Sequence, residues 1–317
     1  MKKLAITISV ILASGSAYAG NETDVELQTS IEDDVTITQN TAHAEPLLGN
    51  DASVSLTNTG FNEVVILQTG NRNNATVTAE YAIDSSFDIE QEGNRNVAQI
   101  TTSGSDNLDN DLDIQQFGNR NNSSVTVADG ADGNDVDVYV RGNRNITTTS
   151  IIGEDADNNH VHTAVYFGGA DNNLTTTVYG SDNDAHTHVW NSNDNTVGVV
   201  QSGDSNNSYV NVWGDSNDNT VNVTQGDGNI ASVDVYWGSD NNEITVTQAT
   251  DNEAYVDVGL NSFDNTVDIE QTSSTSYALV DVTNSQTLDI NVWQNANDAA
   301  SVVAANSVGT VVNIVQN

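Results

Sequence analysis

Across the 317 residues, the side chains with chemical reach recur at intervals and do not gather in one stretch. His160 and His162 are two residues apart, as are His186 and His188, and 24 residues separate His162 from His186. On a strand, residues two apart share a face and the neighbouring strand lies within reach. Four imidazoles so placed could take up a transition metal; the alternative is solvated histidines on a polar face. Carboxylates recur in turns such as Gly203-Asp204-Ser205-Asn206, Asp215-Ser216-Asn217-Asp218 and Asp240-Asn241-Asn242-Glu243. Stacked carboxylates repel, and Ca²⁺, which prefers oxygen ligands, would relieve them. The G-G-x-G-x-D nonapeptide of calcium-binding rolls is missing, and the competing role of the charge is solubility. Arg72, Arg95, Arg120 and Arg144 each sit in a Gly-Asn-Arg-Asn turn and, with Arg141, are all the arginines of the chain. They either balance carboxylates of adjacent turns (Glu92 is one partner) or form a patch for an anion or acidic polysaccharide. Tyr139, Tyr166, Trp190, Trp213 and Tyr236 recur at similar steps and, by alternation, point outward as an aromatic stripe. That stripe either expresses strand propensity or marks a contact surface, a lateral seam or a platform for sugar rings. No hydrolase-type Ser, His and Asp motif is present. No catalytic residue, resident cofactor or enzymatic activity is expected.

These residues need a scaffold that repeats. Short stretches alternate between apolar and polar, as in Phe87-Asp88-Ile89-Glu90-Gln91, Leu112-Asp113-Ile114-Gln115-Gln116 and Val221-Asn222-Val223-Thr224-Gln225. Period two over β-branched residues marks a half-buried strand. Gly, Asn and Asp clusters follow each one, which is turn chemistry. The last inward position of one strand in each unit is expected at Gln68, Gln91, Gln116, Val140, Phe167, Asn191, Gly214, Trp237, Leu260, Asn284 and Asn306, in steps of 22 to 27 residues. A second track runs Gln201, Gln225, Gln248, Gln271, Gln294 and Gln316, in steps of 22 to 24. The tracks interleave, so each unit of about 23 residues holds two strands and two turns. A fixed period of this size marks a solenoid, and a four-stranded propeller blade needs about 40 residues or more. The fold class is all-β, a β-solenoid of about eleven stacked two-stranded coils over residues 64–317. Inward Gln and Asn residues would stack as amide ladders, each side chain satisfying the next.

Charge and composition narrow the setting. Lys2 and Lys3 precede an apolar run, Leu4 to Ala13, and then Ala17-Tyr18-Ala19, the pattern of a secretory leader over residues 1–19. Without it, five arginines face 45 carboxylates, a net charge of −40. Such a chain repels nucleic acid and anionic lipid, so neither is an expected partner. No later stretch reaches the 18 or so apolar residues of a membrane-spanning helix. With no cysteine, disulfides and thiolate metal sites are excluded. Residues 20–51 read as an N-terminal strand pair, within Val25–Gln39, and a loop containing Pro46; residues 52–317 read as the repeat solenoid.

The units carry a resemblance. Gln68-x-Gly70-x-x-Asn73-x-Ala75, Gln91-x-Gly93-x-x-Asn96-x-Ala98, Gln116-x-Gly118-x-x-Asn121-x-Ser123 and Gln201-x-Gly203-x-x-Asn206-x-Ser208 resemble the curlin repeat, Q-x-G-x-x-N-x-A. Val140-x-Gly142-x-x-Asn145 keeps the turn without the glutamine, and Gln225-Gly226-Asp227-Gly228-Asn229 shortens it. The resemblance implies a secreted subunit of an extracellular bacterial amyloid fibre or pilus, stacking end to end on copies of itself or on a related subunit and supporting adhesion and biofilm. The other reading is a stand-alone secreted β-solenoid binding carbohydrate or ice. Thr147-Thr148-Thr149 and Thr175-Thr176-Thr177 hint at an ice-binding array but do not repeat along the chain.

Overall fold

The computed structural model describes residues 7–14 (as backbone), 20–28, 31–41, 49–57, 60–104, 107–283, 285–295, 297–306 and 308–317. Among them every regular element is a strand, 26 in all, and none is a helix. The chain divides into two units, Met1–His160 and Val161–Asn317. In the N-terminal unit one sheet runs Thr7–Ser14, Asp34–Thr41, Glu63–Asn71, Ser86–Asn94, Asp111–Asn119, Asp135–Asn143. Its second sheet runs Glu22–Leu27, Asp51–Thr57, Asn74–Glu80, Val97–Ser103, Asn122–Ala128, Ile146–Ile152. In the C-terminal unit, the order is Asp184–Trp190, Asn207–Trp213, Ile230–Tyr236, Glu253–Gly259, Tyr277–Thr283, Ala299–Ala305 after the opening strand His160–Ala170. The facing sheet runs Asn173–Val178, Thr196–Gln201, Thr220–Asp227, Glu243–Thr250, Thr266–Ser274, Asp289–Gln294, Val311–Gln316. Consecutive strands therefore alternate between sheets, and pairing within a sheet is parallel, as in Phe87↔Leu112 and Val221↔Ile244. Counted from Glu63, the strands make eleven two-stranded coils. This is the β-solenoid that the 23-residue period called for.

The N-terminal elements fall where the pattern placed strands, with Glu22–Leu27 and Asp34–Thr41 spanning the Val25–Gln39 pair. Thr7–Ser14, inside the expected leader, pairs with Asp34–Thr41 in this chain. The proposed cleavage site at 17–19 and Pro46 lie outside the described residues.

Alternation builds the core. Along Asn122–Ala128 the side chains run exposed, buried, half-buried, buried, half-buried, buried, half-buried. The inward set is small and β-branched: Val125, Val127, Val136, Val138, Val221, Val223, Val233 and Val235 are all buried. Like packs on like in successive coils, because in-register parallel pairing leaves no other neighbour.

At the strand ends amides replace the valines. Gln39 donates to Gln68 (2.8 Å), Gln68 to Gln91 (2.9 Å) and Gln91 to Gln116 (2.9 Å). In the C-terminal unit Gln201 donates to Gln225 (3.1 Å), Gln225 to Gln248 (3.1 Å), Gln248 to Gln271 (3.0 Å), Gln271 to Gln294 (2.9 Å) and Gln294 to Gln316 (3.0 Å). The second proton of each Nε2 reaches a backbone carbonyl of the other sheet, Gln68 to Asp51 and Gln248 to Ile230 (both 2.9 Å). One side chain thus ties coil to coil and sheet to sheet. After Gln116 the row passes to hydroxyls, through Ser123 (2.7 Å) and from it to Thr147 (2.8 Å).

The expected inward track fails at its later positions. Phe167, Trp237 and Leu260 are 55%, 54% and 44% exposed. Their φ angles, 55°, 55° and 59°, are left-handed, as are those of Asn191 (51°), Gly214 (76°) and Asn306 (50°). A left-handed residue ends the alternation before its side chain can enter the core. Asn284 lies outside the described residues. The threonine runs also differ from an outward array, since Thr147, Thr149 and Thr176 are buried.

Replacing Gln248 with Leu should therefore cost stability although Leu is apolar and similar in size. It removes the acceptor of Gln225 and the donors to Gln271 and the Ile230 carbonyl. A single unsatisfied buried polar group costs about 1–3 kcal/mol. Thermal melting should show a loss of about 2 kcal/mol or more; melting at the wild-type temperature would mean that the ladder adds nothing.

Candidate functional site

The turns of the N-terminal unit give each motif residue a task. Gly70, Gly93 and Gly118 have φ of 118°, 122° and 127°, and a Cβ on any of them would collide with the carbonyl of the glycine one coil on. Only glycine lets these turns stack so closely. The Asn73 side chain accepts from the Asn96 backbone N–H (3.0 Å) and donates to the Gly93 carbonyl (3.0 Å). Asn96 repeats this with Asn121 (3.0 Å) and Gly118 (2.9 Å). Ala75, at the end of the motif, is fully buried in the opposite sheet. A second buried asparagine row in the C-terminal unit links Asn172, Asn195, Asn219, Asn242 and Asn265, each oxygen accepting the next residue's backbone N–H at 3.0–3.1 Å. The sequence pattern pointed to stacked Gln and Asn at strand ends but not to these turn asparagines, although the fixed Asn of the motif was their signal.

The four turn arginines come together. Arg72, Arg95, Arg120 and Arg144 line one groove of about 540 Å³ with Asn71, Asn94, Asn119 and Asn143. Their φ angles are 60°, 62°, 63° and 60°, and their backbones stack through Arg95 N–H to the Asn71 carbonyl (2.9 Å) and Arg120 N–H to that of Asn94 (3.0 Å). The bridge expected to Glu92 is not formed; among the described residues Arg95 and Arg120 have no carboxylate within ion-pair distance.

The aromatic stripe divides between the units. Tyr139 lies in the N-terminal unit with its ring centre 5.6 Å from Phe117. In the C-terminal unit Tyr166 and Trp190 are 5.9 Å apart, Trp190 pairs in register with Trp213, and Trp213 stacks on Tyr236 at 5.4 Å. Phe167 and Trp237, freed from the core by their left-handed turns, join this face: Phe167 stacks on Trp190 at 4.6 Å and Trp237 meets Trp213 edge-on at 5.0 Å. Five of these rings, all but Tyr236, border a groove of about 900 Å³ with His188, Asn191, Asn211 and Asp234. The row stops at Gly259, whose missing side chain leaves room for the Tyr236 ring.

The histidines border this face. His162 and His188 have ring centres 5.0 Å apart, His162 and His186 6.0 Å, and His186 lies flat on Tyr209 at 4.6 Å. Each ring nitrogen named here already has a polar partner: His162 Nε2 is 2.9 Å from the Tyr166 hydroxyl, His186 Nε2 2.7 Å from Asp184, and His188 Nδ1 3.2 Å from Asn211 Oδ1. A transition metal bound through these particular nitrogens would have to displace the contacts of His162 and His188. His160 begins its strand with Nε2 3.9 Å from Asp135.

Carboxylates also stack, in mid-strand as well as in turns. Asp88, Asp113 and Asp137 are in register, as are Asp234, Asp257 and Asp281. Burial, reinforced by Asp137, Asp88 and Asp111, pushes Asp113 up from 3.8 to about 7, against a 2.7 Å hydrogen bond from Gln115. Burial raises Asp257 too, and burial with the hydrogen bond to Asp257 pushes the Tyr236 phenol up to about 12. A carboxyl raised on folding stabilises fully below its unfolded value, and that contribution is lost as pH climbs through the folded value. The wild-type melting temperature should accordingly fall between pH 4 and pH 8. Asp113→Asn should melt a few degrees higher at pH 8 and near wild type at pH 4; equal melting of the two proteins at pH 8 would show that Asp113 carries no strain.

A search of the curated proteins found no match to the chain. Residues 62–93 match the model of the curlin-associated repeat. They cover the strands Glu63–Asn71 and Asn74–Glu80 and all but the last residue of Ser86–Asn94, including the Gln68, Gly70 and Asn73 positions. The chain is a β-solenoid whose residues 62–93 are similar to the curlin-associated repeat.

Proposed function

We propose that this chain is a curlin-like structural protein, an extracellular fibre subunit that polymerises by stacking strands end to end and supports adhesion and biofilm. The observation that carries this reading is the ladder running from Gln201 to Gln316. Each rung makes the same bonds as the one before, so any further coil with a glutamine in register would extend it. Gln316 accepts from Gln294 and donates to the Ala299 carbonyl (3.1 Å). Its strand, Val311–Gln316, pairs in register with Asp289–Gln294, and a further strand in that register would meet the same pattern. The curlin-associated repeat supports the same assignment. A regular sheet whose glutamine ladder is committed rung to rung leaves little chemistry for turnover, which favours a structural protein over an enzyme. The aromatic face then serves as a lateral seam between filaments, since Trp190, Phe167 and Trp237 are each half or more exposed.

Purified protein should form thioflavin-positive fibres, and removal of residues 307–317 should slow their growth; unchanged rate and yield would exclude that strand as the growing interface. Changing both Trp190 and Trp213 to Ser should leave single filaments able to form while reducing bundling and surface adhesion, as seen by electron microscopy. If bundles persist, the rings only support the sheet.

A further inference from the structure

The arginine groove is unlike anything else on this acidic chain. Four of the five arginines lie there, against 45 Asp and Glu overall. Each has left-handed backbone, a conformation in which Asn or Gly is at home and a long side chain is strained. Parallel stacking spaces them by about 4.8 Å per coil, so the guanidinium stems repel their neighbours. Arg95 and Arg120, in the middle of the row, have no carboxylate partner among the described residues to offset this. Strain and like charge repeated over four coils make a poor structural device and a good anion receptor.

The rest of the lining says which anion. The asparagines of the groove form their own row, Asn71 to Asn94 (2.9 Å), Asn94 to Asn119 (2.9 Å) and Asn119 to Asn143 (3.1 Å). At the start of that row Asn71 Oδ1 is buried and accepts no hydrogen bond among the described residues. An orphan acceptor beside guanidinium groups fits a ligand that carries hydroxyls as well as negative charge. No aromatic side chain lines the groove, so single-stranded nucleic acid would find nothing on which to stack its bases. Guanidinium forks match carboxylates in paired hydrogen bonds. The net negative charge opposes any polyanion at long range, but at physiological salt that field decays over about 8 Å, leaving the groove to act locally.

We infer that the groove lined by Arg72, Arg95, Arg120 and Arg144 binds a linear polyuronate, a polysaccharide with one carboxylate and free hydroxyls on each ring, laid along the row of coils. Isothermal titration calorimetry would compare an oligogalacturonate, its methyl ester and a single-stranded oligonucleotide of equal charge on the full chain. The partner variant is Arg95→Asn with Arg120→Asn, since asparagine suits the left-handed backbone. Wild type should bind the oligogalacturonate, more weakly as salt rises, and bind the ester and the oligonucleotide far less well. The double variant should lose roughly tenfold or more in affinity, as expected for charged hydrogen bonds, and should melt no lower than wild type without ligand. Arg95→Lys with Arg120→Lys should bind between the two. Unchanged binding by the Asn variant, equal binding of ester or oligonucleotide, no binding of oligogalacturonate, or a large drop in the melting temperature of the Asn variant would each overturn the assignment.

Discussion

Parallel in-register pairing sets each side chain of a coil against the residue at the same position in the next, about 4.8 Å away. Every position must therefore tolerate its own kind. Valine and alanine do so by packing, which explains a core of Val125, Val221, Ala231 and their like. Glutamine and asparagine do so because each amide both donates and accepts, and the rows from Gln201 to Gln316 and from Asn172 to Asn265 show it. Indoles and phenols do so by stacking, as Trp213 does on Tyr236. Stability is then nearly a sum of neighbour terms, without one central core to be lost at a stroke.

Charged residues tolerate their own kind worst, and the chain deals with the two signs differently. Along the Asp88 and Asp113 row the response is internal, by holding on to protons: burial raises Asp88, and Asp113 is pushed up to about 7. Guanidinium groups have no such escape, because they stay protonated at any accessible pH. The arginine row is left in a groove open to solvent, with its strain unrelieved by any pairing at Arg95 or Arg120.

Much of this was legible in the residues. The 23-residue period, the alternation and the glutamine spacing named the architecture and the ladder positions, because each depends on local chemistry repeated at fixed intervals. What escaped was decided at the turns. Phe167, Trp237 and Leu260 sit one step beyond the alternation and read as inward, but left-handed φ angles turn them out. Glycine and asparagine announce such turns; a Trp or Phe in the same conformation does not. Two exposed rings were thus added to the aromatic face. The arginine pattern was visible as a row, while the missing Glu92 bridge was not, since ion pairing depends on side-chain direction and not on spacing.

In-register stacking itself can be measured in solution because the chain has no cysteine. Thr224 and Thr247 are exposed, paired across adjacent strands and far apart in sequence. Nitroxide labels at Thr224→Cys and Thr247→Cys in the monomer should lie close enough for strong dipolar broadening of the continuous-wave spectrum, and labels at Thr224→Cys and Glu270→Cys, two strands apart, should broaden far less. Broadening absent from the first pair, or equal in both, would contradict a solenoid built by setting like upon like.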